Sequence, residues 1–312
     1  MIKIDLITGF LGSGKTTFIK EYVEYLLKKG EKICILENDY GAINIDKVML
    51  ENAFGDTCGI EMIVGGDGFE AHQRRLRTKL IAMAMSGYKR VIMEPSGIFD
   101  VDELMDLLYE EPLDRWYELG NIITIVDATN RVWSDEMSYL IASQCANSGK
   151  VVFSKTQDVD PTDMTELKQK LNEALAKYNC SRKLSDKDFI DKNWDQFTEA
   201  DFESISRCEY IHSDIMKLQT AKENSFLSLF CFYLELQRQD LTEKLEKIFK
   251  DESCGNIIRI KGYMKTLEGE WIEINATKEN IKIENTHESQ DVLIIIGEAL
   301  NKNNISKYFP VK

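Results

Sequence analysis

Apolar positions along the chain fall into short blocks, and each block stops at a cluster of polar residues. Ile2, Ile4, Leu6 and Ile7 form a β-branched-rich run that enters a glycine-rich turn, and the stretch FIKEYVEYLLKK beyond it has helical texture. Lys32–Leu36 reads as a second short buried strand ending at Glu37-Asn38-Asp39-Tyr40-Gly41. Thr78–Ser86 has helical apolar spacing. Tyr88–Met93 is a strand that ends in Glu94-Pro95-Ser96-Gly97, Asn121–Val126 one that ends in Asp127, and Lys150–Phe153 one followed by Ser154-Lys155-Thr156-Gln157. Short apolar strands alternating with helices, with polar residues kept for the strand ends, predict an α/β fold: a mostly parallel sheet with flanking helices and a site along its carboxyl edge.

The pattern changes further on. Residues 160–224 are polar, charged and helical in texture, which fits either a helical pair or a partly mobile connection. SFLSLFCFYL then begins a strand-like run, Leu241–Phe249 a helix, and IIRIKGYM, EWIEINA and DVLIIIG are shorter runs before a closing helix. The expected organisation is an α/β domain over 1–215 and a smaller C-terminal α+β domain over 222–312. No internal repeat or low-complexity tract interrupts them.

Composition narrows the field. With 312 residues, 43% hydrophobic and 29% charged, the chain is long enough for two domains. No window approaches the roughly 20 apolar residues of a membrane span, and the chain opens directly on a strand without a basic-then-apolar leader, so the expectation is a cytoplasmic protein with no membrane partner. A net charge of −14 and a pI near 4.9 argue against nucleic acid, whose phosphate backbone selects basic surfaces. Seven scattered cysteines with no C-x-x-C pair read as reduced thiols, several of them buried.

The turn after the first strand carries the clearest chemistry. Gly9, Gly14, Lys15 and Thr16 match G-x-x-x-x-G-K-[ST] in full, between a strand and a helix as a phosphate-binding loop requires. Gly9, Gly12, Ser13, Gly14 and Thr17 belong to the same loop. Its backbone N–H groups can converge on phosphates at the positive end of a helix dipole. Lys15 is expected to reach the β and γ phosphates, and the Thr16 hydroxyl to ligate Mg2+. Glu94 lies where a carboxylate can hold that ion through water or orient an attacking water, and Asp39 is a second candidate or else a turn residue before Gly41. Asp46 has a weaker claim. Ser96-Gly97 would let backbone approach the γ-phosphate, so nucleotide state could be sensed there.

Ser154, Lys155 and Gln157 fall where a guanine-reading N-K-x-D motif would sit. Gln157 replaces its aspartate, and Asp158 follows one residue later. An amide carbonyl accepts a hydrogen bond but cannot imitate a carboxylate taking two donors side by side. Either the loop bulges to bring in Asp158 or base selectivity is weakened.

Together these segments resemble the CobW/HypB/UreG group of phosphate-loop GTPases, its CobW-like branch above all. TGFLGSGKTT, ENDYGAINID, EPSG, IVDA and SKTQ occur in the family's order, and Ile258-Arg259-Ile260-Lys261-Gly262 is similar to the R-x-K-G segment of the CobW C-terminal domain. The resemblance implies a P-loop NTPase that hydrolyses GTP slowly with Mg2+, ATP not being excluded, and that switches conformation, often in a nucleotide-dependent homodimer. Its implied role is as an accessory factor for a client metalloprotein or corrinoid protein. Carried over, Lys15, Glu94 and Asp39 are catalytic, Thr16, Asp39 and Glu94 form the magnesium shell, Ser154 belongs to the nucleotide-binding set, and base contact falls to Lys155 and Gln157. One departure is large. The family's C-x-C-C metal motif corresponds to Gly65-Gly66-Asp67-Gly68-Phe69, with no thiolate, and Cys58 nearby reads as a small buried apolar residue. Asp67, Glu70 and His72 could form a hard-ligand site or a solvated loop, and Arg74-Arg75-Leu76-Arg77 an anion-facing patch or a solvated helix face. The alternatives are a small-molecule phosphotransferase and a nucleotide-gated binding protein with little turnover.

Overall fold

The apolar blocks assemble side by side. The structure is a computed structural model and describes residues 1–39, 50–51, 53–64, 69–97, 101–216, 226–278, 280–286 and 291–311. Strands β1 (Ile2–Thr8), β2 (Ile33–Asp39), β3 (Gly59–Val64), β4 (Arg90–Pro95), β5 (Tyr117–Asp127), β6 (Lys150–Ser154) and β7 (Phe189–Ile190) form one sheet in the order β3-β2-β4-β1-β5-β6-β7. Every neighbouring pair is parallel. Helices α1 (Lys15–Lys28), α2 (Phe69–Ala84), α3 (Val101–Leu108), α4 (Leu113–Trp116), α5 (Asp135–Ala146), α6 (Pro161–Lys177) and α7 (Glu199–Ser206) belong to the same unit, Met1–Leu218.

Alternation along β1 sets the two layers. Ile4 and Leu6 face a core built with Leu76, Leu80 and Met83 of α2 and Leu104 of α3, whereas Ile7 faces Phe18, Ile19 and Tyr22 of α1. The odd residue is Asp5, fully buried on the α1 side. Its Oδ2 accepts from Tyr22 Oη at 2.8 Å and Arg90 Nη1 at 2.7 Å, and its Oδ1 from Asn121 N and Nδ2 at 2.9 and 3.0 Å. Four donors satisfy the carboxylate, which is what allows a charge inside the sheet. With β1 flanked by β4 and β5, and the chain crossing to either side of it, the carboxyl end of β1 opens on a crevice.

Several elements differ from the sequence pattern. β3 and β7 were not marked by apolar periodicity: β3 carries Glu61 and begins at a glycine, and β7 is two residues long inside a polar tract. α2 begins nine residues before Thr78, because its Arg74 and Arg75 are exposed while His72, Leu76 and Leu80 form the buried stripe. The 160–224 region, expected to be a helical pair or a mobile connection, supplies α6, the edge strand β7 and α7.

The second unit, Gln219–Lys312, is built on an antiparallel sheet ordered β11-β10-β9-β12-β8. Its strands are β8 (Phe226–Phe232), β9 (Asn256–Lys265), β10 (Trp271–Ala276), β11 (Ile281–Asn285) and β12 (Val292–Glu298), of which β11 has no counterpart in the sequence reading. Helix α8 (Arg238–Ile248) lays Leu241, Leu245 and Ile248 on Ile260, Ile274, Leu293 and Ile295, and Phe309, beyond the short α9 (Lys302–Ile305), closes that core. An α+β unit with its own core thus follows the α/β one.

Candidate nucleotide-binding site

The turn between β1 and α1 wraps tightly around its own backbone. Gly9 has φ +147°, and a Cβ there would lie 2.3 Å from the Ile125 carbonyl oxygen, so no side chain fits. Ser13 N donates to Phe10 O at 3.2 Å, and Phe18 N to Gly14 O at 3.0 Å as α1 begins. No side chain caps α1 and no acidic residue lies in its first turn. The first-turn N–H groups, which have no partners within a helix, therefore point to the same place as the dipole.

Two predicted residues meet here. Thr16 Oγ1 donates to Glu94 Oε1 at 3.2 Å, joining the first turn of α1 to the end of β4, and both residues are buried. Lys15, also buried, donates from Nζ to Gly9 O at 3.1 Å and Phe10 O at 3.5 Å, so its ammonium curls over the loop it follows. Thr17 is exposed. A hydroxyl and a carboxylate at hydrogen-bond separation, both hard oxygen donors, suit a magnesium ion and not a soft metal. β2 carries Asp39 at its carboxyl end, in register with Val64. The Asp39 side chain lies outside the described residues, as do Tyr40–Asp46, Gly65–Gly68 and the Glu70 side chain.

At the other end, Ser154 closes β6 and Lys155 takes a left-handed conformation, φ 55°. Its ammonium pairs with the Asp127 carboxylate at the end of β5, whose Oδ1 also accepts from Thr129 N and Oγ1 at 2.9 and 2.7 Å. Thr156–Asp158 form a 3-10 turn in which Gln157 Nε2 donates to Asp158 Oδ2 at 3.2 Å, both residues being exposed. Gln157 and Asp158 thus both lie on this exposed turn.

Sequence reasoning did not assign three further neighbours to the site. Trp194, after β7, donates from Nε1 to Phe153 O at 2.8 Å and packs on Gly14, its Cη2 3.2 Å from where a Cβ would be. Asp127 closed a predicted strand but received no role. Gln144 of α5 reaches the Glu94 loop, and with Phe10, Leu11, Ser13, Asp127 and Trp133 it lines a small cleft beside the phosphate loop. Trp194 is brought here by the parallel pairing of β6 with β7, which sends both following loops to one edge, and the two-residue β7 left no signal for it in the sequence.

His72 is buried, its Nε2 2.5 Å from Asn38 Oδ1. Cys58 is buried beside Cys34 at the amino end of the sheet, and burial pushes their thiols up to about 11 and about 12. Among the described residues no group of three His, Cys, Asp or Glu side chains could hold a metal. Arg77 pairs with Glu110, while Arg74 and Arg75 lie on the exposed face of α2.

Residues 3–184 match the family model described as CobW/HypB/UreG, nucleotide-binding domain. The chain is 25% identical over 187 residues to the zinc chaperone YjiA of Escherichia coli (strain K12), covering 57% of this chain and 55% of YjiA. It is 28% identical over 165 residues to the zinc chaperone YeiR of the same organism, covering 52% and 48%. Against the zinc-regulated GTPase metalloprotein activator 1 of Schizosaccharomyces pombe (strain 972 / ATCC 24843) it is 21% identical over 197 residues, covering 59% and 45%. The chain thus spans about half the length of the curated relatives it matches.

Proposed function

We propose that this chain, which belongs to the CobW/HypB/UreG family, binds a purine nucleoside triphosphate, GTP by preference, hydrolyses it slowly, and uses the change of state to assist maturation of a metalloprotein or corrinoid-protein client. The observation that carries this reading is the buried Thr16–Glu94 contact beneath a phosphate loop.

In this reading the N–H groups of Gly9–Thr17 cradle the phosphates, and Lys15 turns from the loop carbonyls to the β and γ oxygens. Thr16 and Glu94, with Asp39 as the third candidate, would hold Mg2+, which when bound neutralises charge on the β and γ phosphates. Glu94 orients a water toward the γ-phosphorus. As the water's oxygen bonds to the γ-phosphorus, the bond to the β–γ bridging oxygen breaks and one proton of the water passes to a γ-phosphate oxygen, giving the nucleoside diphosphate and inorganic phosphate. Lys155 lies along the purine while Gln157 and Asp158 face its edge.

The relatives named zinc chaperones and a metalloprotein activator support the accessory role. Gly65–Phe69 offers no thiolate, so the proposed role does not include carrying a soft metal on that segment. A nucleotide-dependent homodimer is part of the same proposal. A phosphotransferase would need arginines over the phosphates, and the described placement of Arg74, Arg75 and Arg77 does not favour it.

Isothermal titration with GTP, ATP and their slowly hydrolysed analogues, with and without Mg2+, tests the reading. Magnesium-dependent binding with GTP favoured is expected; no purine triphosphate binding in any condition would sink it.

A further inference from the structure

The last turn of α5 reaches both Gly97, three residues beyond Glu94, and the first turn of α3. Gln144, fully buried, donates from Nε2 to Gly97 O at 2.9 Å. Asn147, the C-cap residue of α5, donates from Nδ2 to Asp102 Oδ1 at 3.3 Å, in the first turn of α3. A spacing of three puts both amides on one side of the helix end. That end is itself fixed: Thr124 Oγ1 donates to Gln144 O at 2.8 Å, and Arg182 Nη1 donates to the Cys145 and Ala146 carbonyls at 3.0 Å each.

On its other side Gly97 is pressed against the phosphate loop. A Cβ on Gly97 would lie 2.7 Å from Leu11 N. The carbonyl of this glycine is therefore gripped from α5 while its Cα rests on the backbone that would receive phosphate. Gln144 Oε1 is buried with no hydrogen-bond partner among the described residues. An apolar side chain of similar length would fill the space but would take this donor away from the buried Gly97 carbonyl, so the amide serves the Gly97 contact and not packing alone.

We infer that Gln144 is a positioning residue: it holds Gly97 on the phosphate loop and so sets how strongly the chain prefers a triphosphate to a diphosphate, with Asn147 as a second tether. The inference rests on the proposed nucleotide binding. It acts through Gly97 and Glu94, since neither amide is assigned a contact with nucleotide.

The test measures GTP-analogue and GDP affinities of the full chain, with magnesium, for the unmodified protein and for Gln144→Met and Asn147→Ala, alongside thermal unfolding. Gln144→Met is expected to lower the ratio of triphosphate to diphosphate affinity about five- to tenfold, the scale of one hydrogen bond, and Asn147→Ala to lower it less. If Gln144→Met does not fold, a lowered ratio in Asn147→Ala supports the inference and an unchanged one overturns it. A lower melting temperature with an unchanged ratio assigns both residues a structural role and overturns the inference. An unmodified chain that binds both nucleotides equally overturns it too, while leaving nucleotide binding intact. An unmodified chain that binds neither overturns the reading beneath it.

Discussion

Glu94 and Asp5 are two carboxylates buried in one sheet with opposite assignments. Glu94 accepts from the Thr16 hydroxyl at 3.2 Å at the carboxyl edge, beside the phosphate loop. Asp5 is saturated by Tyr22, Arg90 and Asn121 inside the sheet, and Arg90 is bound on its other side by Glu31, Nε to Oε2 at 2.6 Å. The first arrangement suits a ligand; the second suits a fixed support. Glu94→Gln should therefore leave stability within about 1 kcal/mol while reducing single-turnover hydrolysis about 100-fold or more, in the range of positioned general acid–base groups. Asp5→Ala should cost about 3–5 kcal/mol in urea unfolding, because it leaves the Arg90 charge buried without its main partner. A destabilisation near zero would show that the Asp5 network is not needed. Glu94 could be read from the sequence because it follows an apolar strand at a motif position. Asp5 could not: inside Ile4-Asp5-Leu6 it looks like an ordinary polar alternate, and its partners come from residues 22, 90 and 121.

At the level of elements, strands with continuous apolar runs announced themselves, and the parallel order followed from helices placed between them. The ones that escaped notice, β3, β7 and β11, owe their place to pairing rather than to their own hydrophobicity. The same limit hid Trp194, whose site lies on a loop positioned by the two-residue β7. The neighbourhood of β2 and β3 makes a separate prediction. Burial raises the thiols of Cys34 and Cys58 to about 12 and about 11, while unfolded cysteine titrates near 8.5. The native chain thus binds more protons than the unfolded one above that pH. Their contribution is fully present below about pH 8.5 and is lost as pH rises toward the folded values, at about 1.4 kcal/mol per pH unit for each thiol. Urea unfolding between pH 8 and 10.5 should show stability falling, with a shallower slope in Cys58→Ala. An identical slope in that variant would contradict the assignment.

Across the whole molecule, the two units have separate cores, and the family match ends at residue 184, inside the first. Residues 1–216 alone are expected to fold cooperatively and to bind nucleotide within about threefold of the full chain, a difference below about 1 kcal/mol; loss of binding in a folded fragment would mean that the site is completed from outside it. The fold class was legible because it depends on periodicity and strand-end chemistry. The closing of the site around Gln144, Asp127 and Trp194 was not, because it depends on which strand ends lie side by side. In the proposed function a nucleoside triphosphate and magnesium occupy the β1–α1 turn, with the end of β4 facing the last phosphate. A crystal structure of the chain grown with magnesium and a slowly hydrolysed GTP analogue is the test. Expected are β and γ phosphates within the Gly9–Thr17 loop, Lys15 turned onto them, and Thr16 and Glu94 on the ion. Nucleotide bound elsewhere, or bound in the loop with Glu94 still hydrogen-bonded to Thr16 and no ion between them, would contradict it.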